Sequence, residues 1–323
     1  MHIRKAVITA AGRGVRLYPV ADTLQKEMLP VVDRDGLAKP VIQIIAEEAI
    51  DSGIEEICIV CAPGDEEQYL RQLRLLRENL LHAYSGADWA QEQARRLDNL
   101  IRRLSFAVQS DPRGYGHAVY CAKSFVGAEP FLLLLGDHLY ISHRQGERCA
   151  QQLLSLAARE ECAVAAVQST REHLVGHYGT VSGKRVPDAP GVYQIEKILE
   201  KPSLTMAELQ LQTPGLRVGH YLCFFGMHVL PHRIFSILEE SSERQQAHDA
   251  EMQLTPALQE LANREKYLAL EVAGTRYDIG AKFGLMEAQI ALGVAGKDRG
   301  EVLTTVIEVL AEARLAHPMD AGE

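Results

Sequence analysis

No apolar run in the sequence approaches the roughly 20 residues that a membrane-spanning helix needs, so a helical membrane protein is not expected. Positive charge is scarce too. Lys and Arg number 34 against 43 Asp and Glu, a formal net charge of −9, and no strongly basic face stands out. A nucleic-acid partner is therefore not expected, because phosphate backbones are met by clustered Lys and Arg. An acidic chain can still hold phosphates where a few cations and backbone N–H groups converge. Also missing are an internal repeat, a low-complexity tract, a separating linker and any obvious Ser-His-Asp or Cys-His arrangement. The opening stretch, MHIRKAVITAAG, is too short and too quickly broken for a signal peptide or membrane anchor.

Cysteine is present but scattered, at positions 58, 61, 121, 149, 162 and 223. Cys58 and Cys61 form a C-x-x-C, yet they lie within EEICIVC, which reads as a strand. Residues three apart on a strand point to opposite faces, so a shared zinc or a redox pair is not expected. Buried, reduced thiols and a cytoplasmic protein are the expectation.

What is there is the composition of a soluble globular protein: 323 residues, 47% apolar and 24% charged, enough to bury a full core. KAVITA (5–10) reads as a strand followed at once by a glycine loop. Residues 40–52 read as a helix with Pro40 in its first turn and Gly53 as its stop. EEICIVC (55–61) is a second strand, which makes a β-loop-α-β unit of the doubly wound α/β kind. Residues 65–104 read as a helical insertion, two helices divided at Ser85-Gly86 with Asp88 as a cap. The alternation resumes with a strand over 106–109, a helix from Gly116 to Phe125, and FLLLLGD (131–137), an apolar run suited to a strand covered on both faces. A helix over 149–159 and a strand over 163–168 follow. Residues 176–226 form a β-rich excursion, and helices are expected after Pro231, over LTPALQELANRE and near 284–293, with a strand at KYLALEVAG. One compact domain over 1–296 is the simplest organisation, followed by a helix and tail over 297–323.

The loop after the first strand, AAGRGVRLYPVADTLQKEMLPVVD (10–33), has two glycines and two cations. A third glycine of a dinucleotide fingerprint would fall at Leu17, and no Gly-Lys-Ser/Thr follows, so neither well-known phosphate loop is present. Without a Cβ at Gly12 and Gly14 the backbone can approach a phosphate closely and present its N–H groups. Arg16 and Lys26 add cations able to neutralise charge on a phosphoryl group. Alone, the glycine pair reads equally well as a tight turn. In open α/β sheets ligands bind beyond the carboxyl ends of the strands. Asp137 closes its apolar strand there, either as a divalent-cation ligand or as a turn residue or cap. Asp278 is a second ligand or a helix cap. Mg²⁺ takes one or two protein carboxylates plus substrate phosphates, and hard oxygen donors suit it better than His138.

Together these residues resemble the bacterial UTP–glucose-1-phosphate uridylyltransferases, among the sugar-nucleotide pyrophosphorylases. The resemblance runs from Lys5 to about Gly293 through KAVITAAGRGVR, QKEMLPVVD, KPVIQ, VQSDPRGYGHAV, LLGD, EKP, VGHYL, EMQLT and YDIGAKFG. It implies a Rossmann-like three-layer fold with a mixed central sheet, and transfer of a uridylyl group from UTP to a sugar 1-phosphate. By that resemblance Ala10, Ala11, Gly12 and Gly14 line the base and phosphates, Arg16 and Lys26 meet the triphosphate, and Gln109 and Gly114 read the uracil edge. Asp137 and Asp278 hold Mg²⁺. Gly179, Glu200, Lys201 and Gly219 belong to the sugar-phosphate side, and a homo-oligomer, dimer or tetramer, is implied. The chain departs from the family at Val15 (usually Thr), at Gly136 and His138, at an insertion Arg34–Ala38, and at Ala250 and Pro256.

Overall fold

A computed structural model describes residues 1–12, 14, 24–244 and 251–316. Strand β1 (Lys5–Thr9) is followed by a hairpin of β2 (Pro30–Val32) and β3 (Ala38–Pro40), helix α1 (Val41–Ile50) and β4 (Glu56–Cys61). Pro40 occupies the N-cap position of α1, just outside the helix, where its missing N–H costs nothing. Helices α2 (Asp65–Ala83) and α3 (Asp88–Arg103) lead into β5 (Leu104–Val108). Ala87, not Asp88, sits at the N-cap of α3; Asp88 is the first helical residue and makes no capping bond. The helix expected from Gly116 to Phe125 is broken at Ala122 into α4 (Tyr115–Cys121) and α5 (Lys123–Val126). Next come β6 (Phe131–Leu135), β7 (His138–Ser142), α6 (Cys149–Glu160), β8 (Ala163–Arg171), β9 (Thr180–Arg185), β10 (Val192–Leu199) and α7 (Leu204–Gln210). The chain continues through β11 (His220–Leu230), α8 (Ile234–Arg244), α9 (Leu254–Arg264), β12 (Tyr267–Glu271), β13 (Gly274–Asp278), α10 (Gly284–Ala295) and α11 (Arg299–Ala316).

Among the described residues the main sheet runs β5-β4-β1-β6-β11-β8-β12-β10-β9. It is mixed: β5, β4, β1 and β6 are mutually parallel, whereas β11 is antiparallel to both its neighbours β6 and β8. Alternate residues of β1 enter two cores. Ala6 and Ile8 pack toward α1, α6 and the α2–α3 pair, while Val7 packs toward α4, α8 and α9. The result is three layers, helices on each face of one sheet. Cys61 falls in the first core and Cys58 in the second, both as free thiols, so the C-x-x-C spans the sheet. Tyr69 and Leu73, rather than the half-buried Leu70, are the buried anchors of α2.

Two small sheets were not expected. The β2–β3 hairpin carries the inserted residues 34–38, and its core is a buried ammonium. Lys39 Nζ lies 2.8 Å from Asp33, 2.7 Å from Asp35 and 3.1 Å from Glu47. The second, β7–β13, is the one that matters for the site. Among the described residues no helix is long and apolar enough to cross a membrane.

Candidate active site

Because β1, β4, β5 and β6 run parallel, their carboxyl ends share one rim, and the loops that leave them meet there. Ala10, Ala11, Gly12 and Gly14 leave β1, with the Ala10 N–H donating to the Val60 carbonyl at 2.7 Å. Gly136, at the end of β6, presses against this loop. Its N–H donates to the Thr9 carbonyl at 2.9 Å, and a Cβ on it would stand 2.6 Å from that oxygen. Proline, with no N–H and with a Cβ, fails on both counts, which explains glycine at this position. Arg16 and Val15 lie outside the described residues.

Lys26 opens a single 3₁₀ turn, Lys26–Met28, beside Gly12. Its Nζ is 2.7 Å from Asp137 Oδ2. Two anchors hold this turn. Gln25 Nε2 donates to Asp65 and Gln68 at the start of α2, each at 2.8 Å. Glu27 points inward, 1% exposed, and accepts from the Tyr69 hydroxyl at 3.3 Å. Its Oε1, 3.8 Å from Lys26 Nζ, makes no hydrogen bond. Burial pushes the Glu27 carboxyl up to about 7, and Lys26 draws it only partly back.

Asp137 and Asp278 are brought together by strand pairing. In the antiparallel β7–β13 ladder Asp278 is opposite His138, and the Ile279 N–H donates to the Asp137 carbonyl at 2.9 Å. One ligand atom each from Asp137, His138 and Asp278 lies within 4.8 Å of the others. His138 Nδ1 is 2.8 Å from Asp137 Oδ1. Burial opposes ionisation of Asp137, but the His138 hydrogen bond and the Lys26 ammonium outweigh it and hold the carboxyl below its ordinary range.

A cavity of about 850 Å³ opens from this cluster, lined by Tyr115, Asp137, Asp278, Gly179, Glu200 and Lys201 among others. Gly179 is where two side chains converge: a Cβ there would stand 2.6 Å from the Phe224 ring and 3.1 Å from Glu200 Oε2. Thr255, at the start of α9, donates its hydroxyl to Glu200 Oε2 at 2.6 Å. Lys201 takes a left-handed backbone with φ of 42°, and its N–H donates to the Tyr178 carbonyl at 3.2 Å. Gly219 is not in the lining; it stands just before β11, where its carbonyl accepts the Glu172 N–H at 2.9 Å.

Gln109 and Gly114 lie on the other flank of the rim. Gln109 is buried, and its Nε2 donates to the Gly114 carbonyl at 3.2 Å and approaches His117 Nδ1 at 3.1 Å. The Gly114 carbonyl takes one amide hydrogen of Gln109, which leaves the amide a donor and an acceptor, its second hydrogen and Oε1. The GYGHAV and EMQLT blocks meet beside it: Met252 N–H donates to the Arg113 carbonyl at 2.7 Å, and Gly116 N–H to the Met252 carbonyl at 2.8 Å. Sequence reasoning missed Tyr115, Thr255, Glu27 and Arg276. The first three sit inside quoted blocks, so the block itself was the available signal; Arg276, just before YDIG, had none.

The arrangement, two carboxylates with a cation at a glycine loop and a second cation across a polar cavity, suits the handling of phosphoryl groups. Comparison with known proteins agrees. The sequence profile of the nucleotidyl transferase family matches residues 5–293. The UTP–glucose-1-phosphate uridylyltransferase of Bacillus subtilis is 33% identical over 315 residues, 95% of this chain and 97% of that enzyme. A solved UDP-glucose pyrophosphorylase complexed with UDP-glucose superposes with a TM-score of 0.71 at 31% identity, covering 90% of this chain and 98% of that one. The UTP-bound enzyme of Acinetobacter baumannii gives a TM-score of 0.74 at 28% identity over 95% of this chain and 99% of its own. Fold, site geometry and the match across nearly the whole chain lead to one conclusion: this chain belongs to the nucleotidyl transferase family.

Proposed function

We propose that the chain makes UDP-glucose and pyrophosphate from UTP and glucose 1-phosphate. The observation that carries the reading is the cluster of Lys26, Asp137 and Asp278 beside a cavity that Gly179, Glu200 and Lys201 also line. A phosphate oxygen of glucose 1-phosphate attacks the α-phosphorus of UTP in line; the new P–O bond forms as the bond to the β-phosphate oxygen breaks. The attacking group is already an anion, so no side-chain nucleophile or base is required. Catalysis then rests on positioning and on charge neutralisation.

The roles follow these two groups of residues. Ala10 to Gly14 and Arg16 cradle the triphosphate, and Lys26 leaves Asp137 for the reacting phosphate. Gln109 and Gly114 read the uracil edge, the Gln109 amide supplying a donor and an acceptor. Glu200, aimed by Thr255, accepts from sugar hydroxyls next to Gly179, and Lys201 meets the sugar phosphate. Gly219 shapes the approach to β11 without touching the cavity.

Asp137 and Asp278 fit Mg²⁺, since two carboxylates match its need for few protein oxygens beside substrate phosphates. His138, bound to Asp137 at 2.8 Å, orients that carboxylate. A divalent ion held there supplies neutralisation of phosphate charge. Residues 1–296 serve as the transfer unit, with the insertion 65–104 bracing the Lys26 turn through Gln25 and Glu27. Residues 297–323 serve assembly. Phe283 at the N-cap of α10, Met286 and Ile290 within it, and Leu303, Ile307 and Leu310 of α11 are exposed apolar residues at helical spacing, which supports a homo-oligomer. The free thiols support a cytoplasmic location.

The test is a matrix of nucleoside triphosphates against sugar 1-phosphates with Mg²⁺, read as pyrophosphate release. UTP with glucose 1-phosphate should give the highest kcat/KM. Preference for another nucleotide or sugar would correct the substrate, and no turnover with any pair would remove the reading.

A further inference from the structure

Among the described residues, three of the more buried cations have anionic partners. Lys39 pairs with Asp33 and Glu47, Arg148 with Glu48 and Asp51, and Lys26 with Asp137. Arg276 does not. It forms no ion pair among the described residues, and its Nη1 is buried without a hydrogen-bond acceptor. A guanidinium stays charged under all ordinary conditions, so this is a permanent positive charge with unmet donors.

Its position is fixed by aromatic packing. The guanidinium lies 4.0 Å from the centroid of the Tyr178 ring and 6.0 Å from that of Phe225. Phe225 is in turn stacked on Tyr140, which is opposite Arg276 in the β7–β13 ladder. Arg276 also lines the cavity. On β13 it stands two residues before Asp278, so the two side chains share a strand face, about 7 Å apart along the chain. Tyr178 links it to the Lys201 segment: the residue whose ring carries Arg276 gives its carbonyl to the Lys201 N–H and immediately precedes Gly179.

We propose that Arg276 is a second cation for the phosphate of the sugar 1-phosphate, binding it by the guanidinium fork from the Asp278 side while Lys201 meets it from the other. The proposal rests on the nucleotidyl-transfer reading of the cavity. A planar fork with open donors, held rigid on a ring, matches the geometry of a phosphate better than that of a neutral hydroxyl. The ligand supplies the acceptor that the protein withholds.

The test compares the wild type with Arg276→Gln and Arg276→Lys. Arg276→Gln should raise the KM for glucose 1-phosphate about 10- to 100-fold, the effect of losing a charge-assisted hydrogen-bonded pair, and leave the KM for UTP within about twofold. Arg276→Lys keeps the charge without the fork and should fall between; it also serves if the glutamine variant does not fold. An equal rise in both KM values, or no change, overturns the proposal. So does a variant that keeps its KM for glucose 1-phosphate but loses turnover of glucuronic acid 1-phosphate, because the fork would then be reading a sugar carboxylate. If the wild type shows no turnover, the functional reading fails by itself. Glucose 1-phosphate titrated calorimetrically into wild type and Arg276→Gln then decides this proposal: binding lost in the variant supports it, and binding equal or absent in both overturns it.

Discussion

Lys26 Nζ and Asp137 Oδ2 stand 2.7 Å apart, an ion pair made across 111 residues of chain. Each group has a second use in the proposed reaction, Lys26 on the reacting phosphate and Asp137 on the divalent ion. The pair stores both in ionised form without a substrate: the ammonium helps hold the Asp137 carboxyl low, against a burial that would otherwise raise it. Substrate and ion would exchange one pairing for two.

Asp137→Asn keeps the shape of the side chain and removes its charge. The expected result is a fall in kcat of about 10²- to 10³-fold, with Mn²⁺ binding, followed by electron paramagnetic resonance, weakened in parallel. Full activity in this variant would remove the metal assignment.

Replacing His138 tests orientation instead. His138→Ala leaves both carboxylates but frees the Asp137 side chain, and should weaken Mn²⁺ binding about 10- to 100-fold. An unchanged dissociation constant would show that Asp137 needs no such support.

Glu27 gives a pH signature. Its carboxyl is pushed up to about 7 from 4.5, so the folded protein binds this proton more tightly than the unfolded chain does. The stability that follows is complete below about pH 4.5 and lost as pH rises through about 7, about 3 kcal/mol in all. Glu27→Gln should therefore be more stable than the wild type at pH 8, with the difference shrinking toward pH 5. Denaturant unfolding of both proteins at each pH measures it. His228, pulled down to about 3 by burial, acts in the opposite direction but is common to both proteins and cancels. Parallel pH curves for the two proteins would mean that Glu27 titrates normally.

Lys39→Met should cost about 3–5 kcal/mol, because it leaves buried Glu47 without its counter-charge and buried Asp33 with only Arg34, 3.9 Å away. Loss below about 1 kcal/mol in a urea titration would mean that the hairpin opens and hydrates the carboxylates.

Much of the fold was legible in the chain. KAVITA, EICIVC and FLLLL carry the continuous apolar character of strands covered on both faces, and the period-2 argument put Cys58 and Cys61 on opposite sides of the sheet. Local signals failed where a capping choice was close, as at Asp88, or where a helix is interrupted by a single residue, as at Ala122. HLYIS and GTRYD escaped because two short strands that pair only with each other have no periodicity long enough to separate them from loops. Of the candidate site, the loop residues and the separate carboxylates were visible. Gly219 was grouped with the sugar side but stands off the cavity, and Arg16 lies outside the described residues.

By itself the sequence determined which residues can form strands, where the backbone must lack a Cβ, and which charged groups exist to be used. Those properties are set by neighbours within a few residues. Only the tertiary structure decided which charges meet. The register of β7 against β13 brings Asp278 to Asp137, the packing of α2 buries Glu27 beneath Lys26, and the ring of Tyr178 holds Arg276 without a carboxylate. Coulomb and hydrogen-bond energies depend on distances of a few ångströms between groups far apart in the chain, and those distances do not exist until the sheet has formed.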